Sequence, residues 1–195
     1  TVYVEAVAMY RAGGPPEMRP VGETEFANGL AAMSASGAYG ACKVAAGVVA
    51  MADLGLGDAV LPVLEAHIRA GGGRLRGIRQ TLTWDAEPAL INPLYPSQGG
   101  LLRSEKFYRG VACLERLGLT FDAWVYHPQI DDVTALARAF PKLPIVLDHV
   151  GGPLRVGPYA LRRDEAYAAW LISIRALTQC PNVMVKLGGL GMRYG

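Results

Sequence analysis

The sequence has few cysteines and little net charge, and each shortage excludes a class of protein. Its 195 residues include three cysteines, Cys42, Cys113 and Cys180, which form no CxxC pair. We therefore expect neither a disulfide framework nor a cysteine-rich zinc site, and a reducing, cytoplasmic compartment is the simpler prediction. Nineteen basic and seventeen acidic residues give a net charge of +2, which is too close to neutral for an electrostatic nucleic-acid binder.

The sequence also lacks long apolar runs. Stretches such as residues 44–52 are much shorter than the roughly 20 residues that a membrane-spanning helix needs. Hydrophobic residues still make up 51% of the chain, which is enough to build a core and excludes a disordered chain. No initiator methionine is present, and the chain begins as if a strand were already under way. We therefore expect an internal fragment of a longer chain, truncated at both ends.

Short β-rich runs alternate with longer helical windows along the whole chain. Six strands are predicted, over residues 2–6, 46–51, 75–81, 121–126, 145–148 and 183–187. Five helices are predicted between them, over residues 23–36, 58–70, 104–117, 130–140 and 163–179. Most of the strands are continuous apolar runs, which is typical of parallel strands whose outer face is covered by helices. The pattern predicts an α/β fold.

Two parallel architectures compete for this pattern, a doubly wound open sheet and a (β/α)8 barrel. No GxGxxG or GxxxxGK[ST] element follows the first strand, so the nucleotide-binding form of the open sheet is less favoured. A barrel typically needs about 250 residues, and six of its eight strands fit the length of this chain. We predict one domain over residues 1–195, an incomplete (β/α)8 TIM barrel.

Polar side chains follow the predicted strands at the end where a barrel carries its active site. They are Glu5, Asp53, Arg79, His127, Asp148, His149 and Lys186. Two of the three histidines thus lie at successive strand ends, which indicates a shared site. The third, His67, lies inside the second predicted helix, where a structural or solvated position is expected.

His127 and His149 are the predicted catalytic residues. Neutral imidazole is a common ligand of zinc and a general base near pH 7. After His149, the pair Gly151-Gly152 lets the backbone pass close to a ligand. Two structural alternatives remain: His127 is simply hydrogen-bonded at its strand end, or Asp148 only caps the loop around His149.

Arg79 and Lys186 are predicted to bind substrate. A cation in a buried strand is costly without a partner, and the planar fork of Arg79 suits a substrate carboxylate. The alternative for Arg79 is a salt bridge to a barrel carboxylate such as Glu5. Lys186 is predicted to bind an anion or a carbonyl group. Trp84 and Tyr126 are candidates to line the pocket, although aromatic packing is their default.

On these residues the chain resembles the amidohydrolase superfamily. Its most specific segment is residues 148–152, Asp-His-Val-Gly-Gly after a buried strand, supported by residues 4–6, 48–53, 77–80, 126–129 and 185–189. The resemblance is to metal-dependent TIM-barrel hydrolases that include 2-pyrone-4,6-dicarboxylate lactonase and sugar lactonases. It implies hydrolysis of a carboxylated or sugar-derived lactone. It also implies zinc or manganese as cofactor, with His127, His149 and Glu5 as ligands, although some lactonase-like members need no metal.

The family pattern also includes a His-x-His pair on the first barrel strand and an aspartate on the eighth, and neither is in this sequence. Two alternatives to a lactonase stay open, a non-oxidative decarboxylase on the same barrel and a non-catalytic ligand-binding barrel remnant. Each implies a small-molecule partner and excludes nucleic acid and membrane, and a homo-oligomer is compatible with all three.

Overall fold

The structure, a computed structural model, describes residues 1–93 and 96–192. Its centre is one sheet of six parallel strands in the order β1-β2-β3-β4-β5-β6. The strands are β1 (Val2–Val4), β2 (Gly47–Met51), β3 (Leu75–Thr81), β4 (Thr120–Trp124), β5 (Ile145–Leu147) and β6 (Val183–Val185).

One α-helix follows each strand up to β5. The helices are α1 (Val21–Ala35), α2 (Leu61–Ala70), α3 (Glu105–Leu117), α4 (Ile130–Ala139) and α5 (Arg163–Leu177). Because neighbouring strands follow chain order without a reversal, right-handed crossovers place the helices on one face of the sheet. A doubly wound sheet reverses its strand order, and this one does not. The predicted incomplete barrel wall is therefore confirmed.

Side chains alternate between the two faces of each strand, and this alternation separates the core from the barrel interior. Ile78 of β3 and Phe121 of β4 are fully buried on the helical face, where Phe121 meets Phe107 of α3 edge-on at 6.0 Å between ring centroids. Arg79 and Asp122, the next residue of each strand, are register partners on the opposite face. The polar interior is thus built on the same strands as the apolar core.

Strands β1, β4, β5 and β6 end one or two residues earlier than the apolar runs predict, whereas β2 and β3 end where predicted. In the β5–β6 ladder the last pair is Leu147 with Val185, and β1 ends at Val4. Glu5, Asp148 and Lys186 therefore lie just beyond the ladder, at the rim of the sheet. Helix α2 begins three residues later than predicted, at Leu61 instead of residue 58. Residues 54–60 form 3-10 turns that are interrupted by Gly57 at φ +63°.

Within residues 1–93 and 96–192 we find no helix that combines the length and the apolar character needed to cross a bilayer.

Candidate functional site

Five charged side chains form one network at the carboxyl ends of the strands. Three of them are buried carboxylates, Glu5, Asp122 and Asp148. Arg79 Nε donates to Glu5 Oε1 at 2.8 Å, and its Nη1 lies 3.8 Å from Asp148 Oδ2. Lys186 Nζ lies 2.5 Å from Asp122 Oδ2 and 2.9 Å from Asp148 Oδ1. Asp148 thus links both cations, and three carboxylates surround two positive charges.

Burial and pairing act in opposite directions on the pKa values of this network. Burial lowers the pKa of Lys186, but its hydrogen bonds with Asp122 and Asp148 outweigh this, so the pKa is raised overall. Burial raises the pKa of Asp122, and the hydrogen bond and charge of Lys186 oppose this shift without cancelling it. Lys186 is therefore charged near neutral pH, and its charge is neutralised within the protein. The salt bridge between Arg79 and Glu5 that the sequence offered as an alternative is present; a role for Arg79 or Lys186 in substrate binding stays a prediction.

The chain leaves β5 through a strained turn that carries His149. His149, Val150, Gly151 and Gly152 have φ values of 53°, 55°, 74° and 52°, all in the left-handed region. Glycine takes such values freely, whereas for a β-branched residue such as Val150 they are a true outlier. At Gly152 space also requires glycine, because a Cβ would lie 2.4 Å from a backbone carbonyl oxygen of β4's loop. Strain of this kind is characteristic of functional sites.

His149 lines a cleft of about 390 Å³ beside the charged network. Its ring meets the Trp124 ring edge-on at 5.3 Å, and Arg79 lies over the same indole at 5.8 Å. Aromatic walls come from Trp124, Tyr126, Tyr167 and Trp170, with Arg155 and Arg163 also among the lining residues.

The imidazole of His149 is poised for proton transfer. Its Nδ1 is buried and has no hydrogen-bond partner within the described part of the chain. Burial lowers the pKa of His149, and the charge of Asp148 opposes this shift. The ring is therefore neutral near pH 7, with its Nδ1 uncommitted. A neutral imidazole that lines a cleft can accept a proton from a bound molecule or donate one to it.

His127 lies at the next strand end but in a different environment. Its Nδ1 accepts a hydrogen bond from the Leu154 backbone N–H at 3.2 Å, and its ring contacts Tyr159 edge-on at 5.1 Å. The Tyr159 hydroxyl donates to Asp85 Oδ2 at 2.8 Å. Burial lowers the pKa of His127, and a neutral ring that accepts at Nδ1 carries its proton on Nε2. Among the described residues that line the cleft we find His149 but not His127.

Of the two aromatic residues predicted to line the pocket, Tyr126 lines the cleft around His149 and Trp84 does not. The Tyr126 ring lines the cleft, and its hydroxyl donates to the Leu90 carbonyl at 2.7 Å. The Trp84 indole packs over Gly99, where a Cβ would lie 2.7 Å from the ring. Trp84 therefore packs within the loop that follows β3 and does not line the cleft around His149.

The described residues do not by themselves fit a metal ion. No three His, Cys, Asp or Glu side chains within residues 1–93 and 96–192 come together as a metal-binding group. Glu5 is paired with Arg79, and Nδ1 of His127 is occupied by a backbone N–H. The predicted ligand set of Glu5, His127 and His149 is not assembled in this part of the protein.

Sequence reasoning missed Asp122, although a signal for it exists. Asp122 stands between Phe121 and Ala123, both fully buried against the helices, so alternation directs its carboxylate into the barrel. A carboxylate in an otherwise apolar strand needs a cation, which here is Lys186. Trp170 was also missed, because nothing in its helix distinguishes it from a packing residue.

Three comparisons with known proteins relate this chain to amidohydrolases. The family described as Amidohydrolase matches residues 5–194. The protein y4mH of Sinorhizobium fredii is 30% identical over 173 residues, which cover 89% of this chain and 51% of that protein. An L-fucono-1,5-lactonase of Burkholderia multivorans is 32% identical over 119 residues, covering 61% of this chain and 36% of the lactonase.

A solved amidohydrolase structure is also similar to this chain. An amidohydrolase of Burkholderia multivorans, crystallised with bound zinc, superposes with a TM-score of 0.61 at 30% identity and covers 86% of this chain and 50% of that one. The chain thus spans about half the length, or less, of the relatives it matches. Its match to the family extends over nearly all of its residues, and the chain belongs to the amidohydrolase family.

Proposed function

We propose that the full-length protein hydrolyses a lactone, a cyclic ester, of a sugar-derived or carboxylated substrate. The observation that carries this proposal is the neutral, partly buried His149 imidazole at the wall of an aromatic cleft beside a charged network. Membership of the amidohydrolase family and the similarity to an L-fucono-1,5-lactonase support the reaction type.

In this reaction water adds to the carbonyl carbon, the ring C–O bond breaks, and the product carries a carboxylic acid and a new hydroxyl. The His149 imidazole accepts the proton of the attacking water and returns it to the leaving oxygen. Lys186 Nζ has three N–H donors, of which Asp122 and Asp148 accept two; the third donates to the carbonyl oxygen on which negative charge develops. Tyr126 and Trp124 form the apolar walls that orient the ring.

The charges of the site bear on the choice between the two substrate classes. Arg79 and Lys186 are already paired with three carboxylates, so the interior favours a neutral sugar lactone over an anion. Arg155 and Arg163 are exposed cations of the cleft and are the groups that a carboxylated lactone would meet. Variants at these two positions therefore raise KM for carboxylated substrates only.

A divalent metal, zinc or manganese, is proposed for the longer protein only, since the described residues do not assemble a three-ligand group. Metal analysis of the purified full-length protein, before and after dialysis against a chelator, tests this separately.

We further propose that the protein acts in the cytoplasm, where its three free thiols stay reduced, on a small molecule rather than on nucleic acid or membrane. Size-exclusion chromatography with light scattering tests for a homo-oligomer.

The direct test is purified full-length protein on a panel of sugar lactones and carboxylated lactones, with acid release followed by a pH indicator. We expect turnover, and we expect His149→Asn to lower kcat by at least about 100-fold. The exposed Tyr39→Phe is the control and keeps wild-type rates. Release of carbon dioxide instead of a ring-opened acid points to a decarboxylase, and binding without turnover points to a non-catalytic barrel; either result overturns the proposal.

A further inference from the structure

The turn that presents His149 needs support from outside itself. Residues 149–152 all have φ in the left-handed region, which is sterically unfavourable for a β-branched residue such as Val150 at φ 55°. A strained conformation persists only where the surrounding structure over-determines it. Groups outside the turn must therefore hold it in place.

Three hydrogen bonds fix the backbone of the turn from three different elements. The Val150 N–H donates to the Lys186 carbonyl at 3.1 Å, and the Gly152 carbonyl accepts from the His127 N–H at 3.1 Å. The third comes from a side chain: Trp170 Nε1 donates to the Val150 carbonyl at 2.7 Å. The first two are backbone contacts that follow the path of the chain, whereas the third depends on which residue α5 carries at position 170.

Trp170 is itself held in place. It is partly buried on α5, packs on the sheet's core cluster, and its ring lies 5.5 Å from that of Tyr167. Its rigid bicyclic ring therefore delivers the N–H to a fixed point, the carbonyl oxygen of the residue next to His149. We infer that Trp170 is a positioning residue, which orients the His149 imidazole by holding the Val150 carbonyl with its indole N–H.

The consequence for catalysis rests on the proposed function, whereas the positioning itself does not. A substitution that removes only the N–H separates positioning from packing. Trp170→Phe keeps an aromatic ring without a donor. Replacement of Trp170 by 3-benzothienylalanine keeps the bicyclic shape and exchanges the N–H for sulfur, so this second variant tests the inference even if the phenylalanine variant folds poorly.

The first experiment needs no substrate. The chain has three histidines, so NMR of the labelled imidazoles gives three sets of signals. In both Trp170 variants we expect the His149 signals to shift and broaden, while His67, buried between α1 and α2, keeps its own. Ile172→Ala, an exposed change on the same helix, leaves all three unchanged. Unchanged His149 signals in the benzothienylalanine variant overturn the inference.

The second experiment measures turnover by the full-length protein. In the benzothienylalanine variant, loss of the N–H lowers kcat by about tenfold and leaves KM within about twofold, because the bicyclic ring that walls the cleft is kept while the imidazole no longer holds its working orientation. A purely structural role lowers thermal stability without changing kcat per folded molecule, and that result also overturns the inference. If the wild-type protein cleaves no lactone, the proposed function fails, and the NMR comparison still decides the positioning role.

Discussion

At the scale of single residues, Arg79 determines whether the barrel interior is stable. It lies between the buried carboxylates of Glu5 and Asp148 and stacks over Trp124. Removing one partner of a buried ion pair leaves an uncompensated charge in a medium that solvates it poorly, which costs more than the pair itself contributes.

We predict that Arg79→Met lowers the free energy of unfolding by about 3–5 kcal/mol. The variant leaves Lys186 as the one cation of a network that still holds three buried carboxylates, Glu5, Asp122 and Asp148. Urea unfolding at pH 7, followed by circular dichroism, measures the effect.

Arg103→Met is the matched control for this prediction. Arg103 pairs with Asp132 at 2.7 Å, but its side chain is 74% exposed. We expect a much smaller loss than in Arg79→Met, because water replaces the partner of an exposed charge. Equal losses in the two variants would show that the interior pair is as well hydrated as the surface pair.

His67 is the residue with the clearest pH dependence. The sequence left a structural or a solvated position open, and the structure selects the first: His67 is fully buried on α2, and its Nδ1 lies 2.8 Å from Thr24 Oγ1 of α1. Burial lowers the pKa of His67 to about 4, although the Met51 carbonyl opposes the shift. The folded protein therefore keeps this ring neutral under conditions where the unfolded chain protonates it.

From this we predict that acid weakens the fold between pH 6.5 and pH 4. Above the ordinary value of 6.5 both states are neutral at His67, and its contribution is fully present; below that pH the unfolded state takes up a proton that the folded state refuses. The loss reaches about 3 kcal/mol near pH 4. His67→Gln removes the titration, so the difference in unfolding free energy between wild type and variant shrinks on acidification. Parallel stability curves from pH 7 to pH 4 would contradict this assignment.

At the scale of elements, glycine lets α3 approach the loop after β2. A Cβ at Gly110 would lie 2.1 Å from the Leu54 carbonyl oxygen, which is backbone and has little freedom to move. At Gly29 of α1, by contrast, a Cβ would meet nothing within 4 Å. The same substitution on two helices thus separates intrinsic helix propensity from tertiary fit.

We predict opposite signs for these two substitutions. Gly110→Ala destabilises by about 1–3 kcal/mol because the helix must move away from Leu54. Gly29→Ala stabilises by up to about 1 kcal/mol because alanine loses less backbone entropy in a helix. Thermal unfolding of both variants measures the difference. Stabilisation by both would mean that α3 can shift without cost.

At the scale of the whole molecule, stability is concentrated in the middle of the sheet. Strands β3 and β4 each pair on both sides, and most of their residues are buried. Strands β1 and β6 pair on one side, and Met184 and Val185 of β6 are exposed. In the 195-residue chain we therefore expect local opening to need less energy at β1 and β6 than at the centre, where it approaches complete unfolding.

Hydrogen exchange of the chain is expected to follow this order. Amides of β3 and β4 exchange at least about tenfold more slowly than those of β1 and β6, because edge strands open without disturbing the core. Mass spectrometry of peptic fragments or NMR gives the rates. Uniform protection across the six strands would show that the sheet opens only as a unit.

The periodicity of the chain determined the architecture, since local patterns decide which face of each element is apolar. Continuous apolar runs gave the parallel strands, and their ends placed Glu5, Asp148, His149 and Lys186 at one rim. Strand ends were less accurate, because a ladder stops where its partner stops. The alternation of buried residues in β4 could also have predicted that the Asp122 side chain points into the barrel.

Only the tertiary structure decided which of these groups meet. Arg79 pairs with Glu5 across 74 positions of sequence, and Lys186 with Asp122 across 64. Such pairings depend on the closing of the sheet, and no local pattern encodes them. The same holds for the separation of His127 from the cleft of His149, since a backbone donor from another loop occupies its Nδ1. Sequence placed the residues at the rim; three-dimensional proximity, which sets charge, burial and hydrogen bonding, assigned their partners.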